Sequence, residues 1–181
     1  MAGFDGGKPV LLMTGGSLGA QSVNQCLRAC LPALTPHMDV LHLCGKGNLD
    51  ENLRGLPGYA QFEFLGEEMA DALAAADLVL SRAGSNTLSE LLALGKPMLL
   101  VPYPLGSGRG DQIQNAESYR RQGLARVLPQ AEMTPDALTT ALLALLAERE
   151  TLAAAVAAFP VKDGTEAVLQ MIEDVQTARR R

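Results

Sequence analysis

Tryptophan is absent from the 181 residues, aromatic side chains make up only 4%, and cysteine occurs three times, at Cys26, Cys30 and Cys44. Odd in number and without CxxC spacing, these cysteines imply neither a disulfide framework nor a zinc site, and they fit reduced cytosolic thiols. No segment reaches the ~20 uninterrupted apolar residues of a membrane-spanning helix. The opening MAGFDGGKP also lacks the charged region followed by an apolar stretch that marks a signal peptide. A cytoplasmic chain is expected. No Lys/Arg cluster lies in the interior of the chain and the net charge is −5, which argues against binding nucleic acid by neutralising many phosphates. The terminal Arg179-Arg180-Arg181 reads as a solvated basic tail that complements a helix dipole.

What is present is aliphatic. Hydrophobic residues are 48% of the chain and charged residues 19%, enough for one compact domain with a sizeable core rich in Ala and Leu. Short apolar runs at Val10–Met13, Val40–Leu43, Phe62–Leu65, Leu78–Leu80, Met98–Val101 and Ala125–Leu128 read as strands. Helical patterns fall between them, near Ala20–Leu34, Glu67–Ala75, Leu88–Leu94 and Gln112–Gln122. In the first of these, Val23, Leu27, Leu31 and Leu34 share one face. Repeated strand-helix units predict an α/β fold: a Rossmann-like parallel sheet with helices on both faces. Thr134-Pro135-Asp136 supplies an N-cap, a proline at the first helical position and an acid in the first turn. Two or three helices are expected to finish the domain, with a break at Lys162-Asp163-Gly164. The division expected is a Gly-rich linker over 1–9, a domain over 10–178 and the basic tail over 179–181.

In an open parallel sheet a ligand sits beyond the carboxyl ends of the strands, so three strand-end segments carry the functional reading. The first is Thr14-Gly15-Gly16-Ser17-Leu18-Gly19-Ala20, a glycine-rich turn entering a helix, where free N–H groups can hold a phosphate without a lysine. It is not a dinucleotide fingerprint. G-x-G-x-x-G needs glycine where Ser17 and Ala20 stand, and the run Leu41-His42-Leu43-Cys44-Gly45 ends without the required acid. A Walker A loop is also absent, and no metal or other cofactor is expected.

The second segment is Ser81-Arg82-Ala83-Gly84-Ser85-Asn86-Thr87-Leu88-Ser89-Glu90. Ser85, Asn86 and Thr87 can cap a helix there, and the N–H groups offer a second anion cradle. Thr87-x-x-Glu90 matches a capping box, which the spacing alone favours over a carboxylate holding a ribose diol. Arg82 directly follows a strand, where it suits either a phosphate contact or a structural ion pair. The third segment, Pro102 to Gln112, is polar and glycine-rich like a functional loop. Asp111 can cap the helix that follows, while Gln112 and Asn115 share a helical face and suit sugar hydroxyls or plain exposure. His37 and His42 have no serine or acid at triad spacing, and neither reads as a catalytic base.

Together these segments resemble the C-terminal domain of the MurG glycosyltransferases, which have the GT-B fold. The carriers are GGSLGAQSVN (15–24), EFLGEEMADALAAADLVLSRAGSNTLSE (63–90), GKPMLLVPYP (95–104) and DQIQNAE (111–117). The resemblance implies a domain that binds UDP-N-acetylglucosamine in the inverting transfer that converts lipid I to lipid II in peptidoglycan synthesis. It places Ser17, beside the further candidate Gly16, on the diphosphate side, the backbone of Leu65 against the uracil and Ser85, Asn86, Thr87, Leu88 and Ser89 around the α-phosphate. Glu90 matches the ribose-binding carboxylate, and Gln112 matches a glutamine on the donor sugar. Arg82 and Asn115 complete the candidate set.

The resemblance also implies partners. An N-terminal acceptor-binding domain carries the acceptor motifs and proposed general base of such enzymes, and this sequence holds neither, so the chain alone is expected to be inactive. The acceptor is a lipid-linked muramyl peptide, and the full enzyme is expected on the cytoplasmic face of the inner or plasma membrane. Two further readings are a separate donor subunit of a split transferase and a protein resembling a nucleotide-sugar epimerase. The second needs acid/base residues not found here.

Overall fold

The structure, a computed structural model, describes residues 2–15, 20–105 and 110–160. Gly16 and Ser17, the run Gly106–Arg109, the break expected at 162–164 and the basic tail lie outside these residues. Six strands form one parallel sheet: β1 (Val10–Thr14), β2 (Asp39–Leu43), β3 (Tyr59–Phe62), β4 (Leu78–Ser81), β5 (Met98–Leu100) and β6 (Arg126–Val127), in the order β3-β2-β1-β4-β5-β6. The helices are α1 (Gln21–Leu34), α2 (Met69–Ala75), α3 (Ser85–Ala93), α4 (Asp111–Arg121) and α5 (Pro135–Ala158), with single 3-10 turns at Glu51–Leu53 and Gln130–Glu132.

The apolar runs are uninterrupted because both sheet faces are covered. Alternate residues divide between them. Leu11, Met13, Val40, Leu78, Leu80 and Leu99 pack with Val23, Leu27, Leu31 and Leu34 of α1 and with Leu138, Leu142, Leu145 and Leu152 of α5. Leu12, Leu41, Leu43, Val79, Met98 and Leu100 pack on the opposite face with Ala72 of α2, Leu88 and Leu91 of α3 and Ala116 of α4. The expected fold class and the apolar face of α1 are both found. Phe4 and Ala2, within the segment read as a linker, pack against the second of these cores.

The third strand lies earlier than its apolar run suggested. Phe62–Leu65 was the expected span, but Tyr59–Phe62 pairs with β2 in the register Val40↔Tyr59 to Leu43↔Phe62. Gln61 disguised the strand. Its side chain is drawn into hydrogen bonds with Arg28 and the Asp50 backbone, so a polar residue occupies a strand position while Phe64, in the expected run, is 71% exposed. At the other end of the chain, Thr134 Oγ1 accepts from the Ala137 N–H at 3.1 Å and α5 then runs unbroken for 24 residues.

This strand order reverses direction between β1 and β4. Chain growth proceeds outward through β2 and β3 on one side and β4, β5 and β6 on the other, opening a crevice at the carboxyl ends of β1 and β4. The segments leading from these two strands into α1 and α3 are the first two singled out in the sequence.

Candidate functional site

Neither helix that begins at the crevice is capped by a side chain. Ala20 is the N-cap of α1, and the first helical bond runs from Asn24 N–H to the Ala20 carbonyl at 2.8 Å. Gly84, with extended ψ of 138°, is the N-cap of α3, whose first bond runs from Leu88 N–H to the Gly84 carbonyl at 3.0 Å. Among the described residues, the N–H groups of Gln21, Ser22 and Val23, and those of Ser85, Asn86 and Thr87, have no acceptor. Both starts place positive helix ends beside the crevice.

This corrects the capping expectation. Ser85, Asn86 and Thr87 occupy the first turn of α3 rather than the cap, because Gly84 already adopts the cap conformation. Thr87 is therefore three residues inside the helix, and Thr87-x-x-Glu90 cannot close a capping box. Glu90 is exposed, and its side chain makes no hydrogen bond or ion pair among the described residues. It shares a helical face with Asn86, also exposed, while Ser85 and Ser89 share another; Leu88 is buried in the core under α3. Asp111 is likewise not a cap. It is the first residue of α4, behind Gly110, which takes a φ of 79° that favours glycine.

Gln112 and Asn115 do share a face of α4, and both face protein as well as solvent. Gln112 Oε1 accepts from the Tyr103 N–H at 3.3 Å, and Asn115 Nδ2 donates to the Ala83 carbonyl at 3.1 Å. Asn115 thereby joins α4 to the segment leading into α3. Leu65, half-buried, follows β3 at the same edge of the sheet, next to exposed Phe64. An apolar groove of about 500 Å³ adjoins the segment Pro102–Leu105, lined by Tyr103, Leu105, Ile113, Val127, Pro129 and Gln130 among others.

Arg82 forms no ion pair with any described residue, and its side chain turns inward. It is 6% exposed, and Nη1 donates to the carbonyls of Val101 (3.0 Å) and Pro102 (3.3 Å) while Nη2 donates to Ser22 Oγ (3.2 Å). The guanidinium carbon lies 4.0 Å from the centroid of the Tyr103 ring. Burial lowers the pKa of Arg82 from its ordinary value, and Tyr103 opposes that shift. Ser22 and Tyr103 lie in segments the sequence marks, but their pairing with Arg82 had no signal there, since they are distant from it along the chain.

A second polar cluster lies behind β2. His42, fully buried, places Nδ1 2.9 Å from the Tyr59 hydroxyl and Nε2 3.0 Å from Asn24 Oδ1. Asn24 Nδ2 donates to the Cys44 carbonyl at 2.7 Å, so its Oδ1 must accept, which puts the imidazole proton on Nε2 and leaves Nδ1 to accept from Tyr59. Burial first, then the charge of Arg28, lowers the His42 pKa to about 3. Held neutral with both nitrogens occupied, His42 is structural, in keeping with the reading that excluded it as a base. The described residues contain no group of three or more His, Cys, Asp or Glu able to hold a metal ion.

Comparison with known proteins gives the family of the chain. Residues 10–168 match the model of the glycosyltransferase family 28 C-terminal domain. The chain belongs to that family. Its curated relatives include the UDP-N-acetylglucosamine--N-acetylmuramyl-(pentapeptide) pyrophosphoryl-undecaprenol N-acetylglucosamine transferase of Legionella pneumophila (strain Lens). That protein is 43% identical over 182 residues, covering 99% of this chain and 50% of the relative. A transferase of the same name from Geobacillus thermodenitrificans (strain NG80-2) is 53% identical over 139 residues, covering 77% of this chain and 39% of the relative. Among solved structures, Acinetobacter baumannii MurG superposes with a TM-score of 0.78 at 29% identity, over 93% of this chain and 50% of that one. This family 28 domain thus spans about half the length of such relatives, and its sheet is the C-terminal half of a GT-B fold. No helix among the described residues is long and apolar enough to cross a membrane.

Proposed function

We propose that this domain binds UDP-N-acetylglucosamine as the donor half of a transferase acting like the relatives named above. The observation that carries the reading is the pair of uncapped helices at the switch point of the sheet, with six N–H groups lacking a described acceptor. A departing UDP gathers negative charge on its diphosphate. Fixed N–H dipoles aimed at that charge stabilise it more as the glycosidic bond breaks than before. An acidic chain can hold the anion because the local field comes from α1 and α3 rather than from net charge.

The remaining candidates then have distinct roles. Glu90, with no partner to satisfy, accepts two hydrogen bonds from the ribose diol. The backbone at Leu65 contacts the uracil, Ser85 to Ser89 surround the α-phosphate, Gly16 and Ser17 take the diphosphate side, and Gln112 turns its amide toward the sugar. Asn115 and Arg82, both engaged with backbone carbonyls, are supports rather than ligands. The complete reaction is an inverting attack by a muramyl C4 hydroxyl of a lipid-linked acceptor. That step takes its acceptor site and base from an N-terminal domain, at the cytoplasmic face of the membrane.

The reading is tested by calorimetric titration of the chain with UDP-N-acetylglucosamine, UDP, GDP and NAD. Binding of the uridine nucleotides with at least tenfold preference over GDP and NAD is expected, a gap of about 1.4 kcal/mol. Equal binding of GDP, or tighter binding of NAD, would sink it.

A further inference from the structure

We propose that Arg82 is the positioning residue that couples the diphosphate side of the site to its sugar side. The inference rests on the donor-binding reading above and deepens it. Arg82 stands one residue beyond β4, at the centre of the crevice edge, yet both terminal nitrogens are engaged by protein. One guanidinium meets the first turn of α1 through Ser22, the segment just beyond β5 through the Val101 and Pro102 carbonyls, and the next residue through the Tyr103 ring. Ser22 Oγ also lies 3.1 Å from Gln130 Oε1, which ties the same turn to the edge beyond β6. From Tyr103 the chain of contacts continues, since its N–H donates to Gln112 Oε1 at 3.3 Å.

The helix start that faces the diphosphate and the side chain offered to the sugar are therefore two ends of one path, Ser22–Arg82–Tyr103–Gln112. A planar, rigid fork is needed at its centre, because the three acceptors and the ring are approached in different directions from a single buried group. A lysine carries the same charge but can neither span both carbonyls and Ser22 nor stack flat on Tyr103. A donor longer than UDP must touch both ends of the path at once. UDP alone touches one.

The test is calorimetry of the whole chain with UDP and UDP-N-acetylglucosamine, comparing Arg82→Met, Arg82→Lys and Tyr103→Leu, with amide hydrogen exchange of the ligand-free proteins alongside. For Arg82→Met the affinity for UDP-N-acetylglucosamine should fall about tenfold more than that for UDP, as expected when two contact sets lose alignment. Arg82→Lys should behave likewise. Tyr103→Leu, which leaves the buried cation in place and serves if Arg82→Met does not fold, should show the same selective loss at about threefold.

Parallel losses for both nucleotides, no loss, or restoration by lysine would each overturn the assignment. Should the unaltered chain bind no uridine nucleotide, the donor reading fails separately, and exchange decides the coupling. Faster exchange at the bonded amides of Asn24, Val101 and Tyr103 in the variants, with β1 unchanged, supports it; unchanged exchange at those three amides rejects it.

Discussion

At the β2–β3 flank of the sheet, His42, Asn24, Tyr59 and Gln61 face inward and satisfy one another, while Arg28 Nε and Asp39 Oδ2 are buried without a partner among the described residues. At the β4–β5 flank, the first-turn N–H groups of α3 and the Glu90 carboxylate have no partner among the described residues. His42, Asn24 and Tyr59 form a closed chain ending on the Cys44 carbonyl, and Gln61 joins Arg28 to the Asp50 backbone. Across the crevice, α3 begins at a glycine although Ser85, Asn86 and Thr87 stand within reach of capping, and Glu90 projects unpaired. The same residue types thus do opposite work. Buried polar groups left unmatched cost stability, which favours the matched chain through His42 on the first flank; helix-end donors beside an open crevice can be met by water at little cost and remain free for a ligand. Thr134 on α5 shows that this chain caps helices where no ligand is called for.

The comparison is broken most strongly through His42. Its pKa lies at about 3 in the folded protein because burial disfavours the imidazolium, whereas the unfolded chain protonates near pH 6.5. Between these values the unfolded state holds more protons, so stability is full above pH 6.5 and is lost as pH falls. Urea denaturation at pH 7 and pH 4 should show a drop that exceeds that of His42→Leu by roughly 3 kcal/mol. Equal drops in the two proteins would mean that the flank is not closed around a neutral imidazole.

A smaller effect is expected from Asn24→Ala. It strands the His42 Nε2–H and the Cys44 carbonyl, and unfolding free energy should fall by about 2 kcal/mol, measured by the same denaturation. A loss below ~0.5 kcal/mol would show that water replaces the amide. On the open flank the sign should reverse. A Cβ at Gly84 meets nothing within 4 Å, and the residue has φ of −71°, so Gly84→Asp is sterically free. The new carboxylate should cap α3 and raise stability by about 0.5 kcal/mol while weakening UDP binding about tenfold, since it occupies the same N–H groups. Unchanged UDP affinity would detach α3 from the site.

The sheet was legible in the sequence because both faces are covered, which leaves aliphatic runs such as Val10–Met13 with no competing pattern. Its third strand was misplaced because Gln61 occupies a ladder position and meets its partners through tertiary contacts. The glycine-rich turn and the SNTLSE segment were legible as helix starts, but not the exact residue at which α3 begins. Thr87-x-x-Glu90 fits a capping box equally well, and only the extended backbone at Gly84 decides against it. The roles of Leu65, Glu90 and Gln112 came from family resemblance, since spacing carries no information about uracil or ribose. Arg82 was legible as a residue of interest at a strand end. Its partners were not, because Ser22, Val101 and Tyr103 converge on it only through the strand order.

The central claim is that groups left unmatched at the crevice belong to the ligand and not to the fold, and Glu90 tests it most directly. Titrating Glu90→Ala with UDP while measuring its denaturation should give affinity lowered at least tenfold, the loss of charge-assisted bonds to a diol. Stability should stay within about 0.5 kcal/mol, as for any exposed side chain without partners. The opposite result, stability lowered by ~1 kcal/mol with UDP affinity intact, would make Glu90 a structural support of α3 and contradict the account.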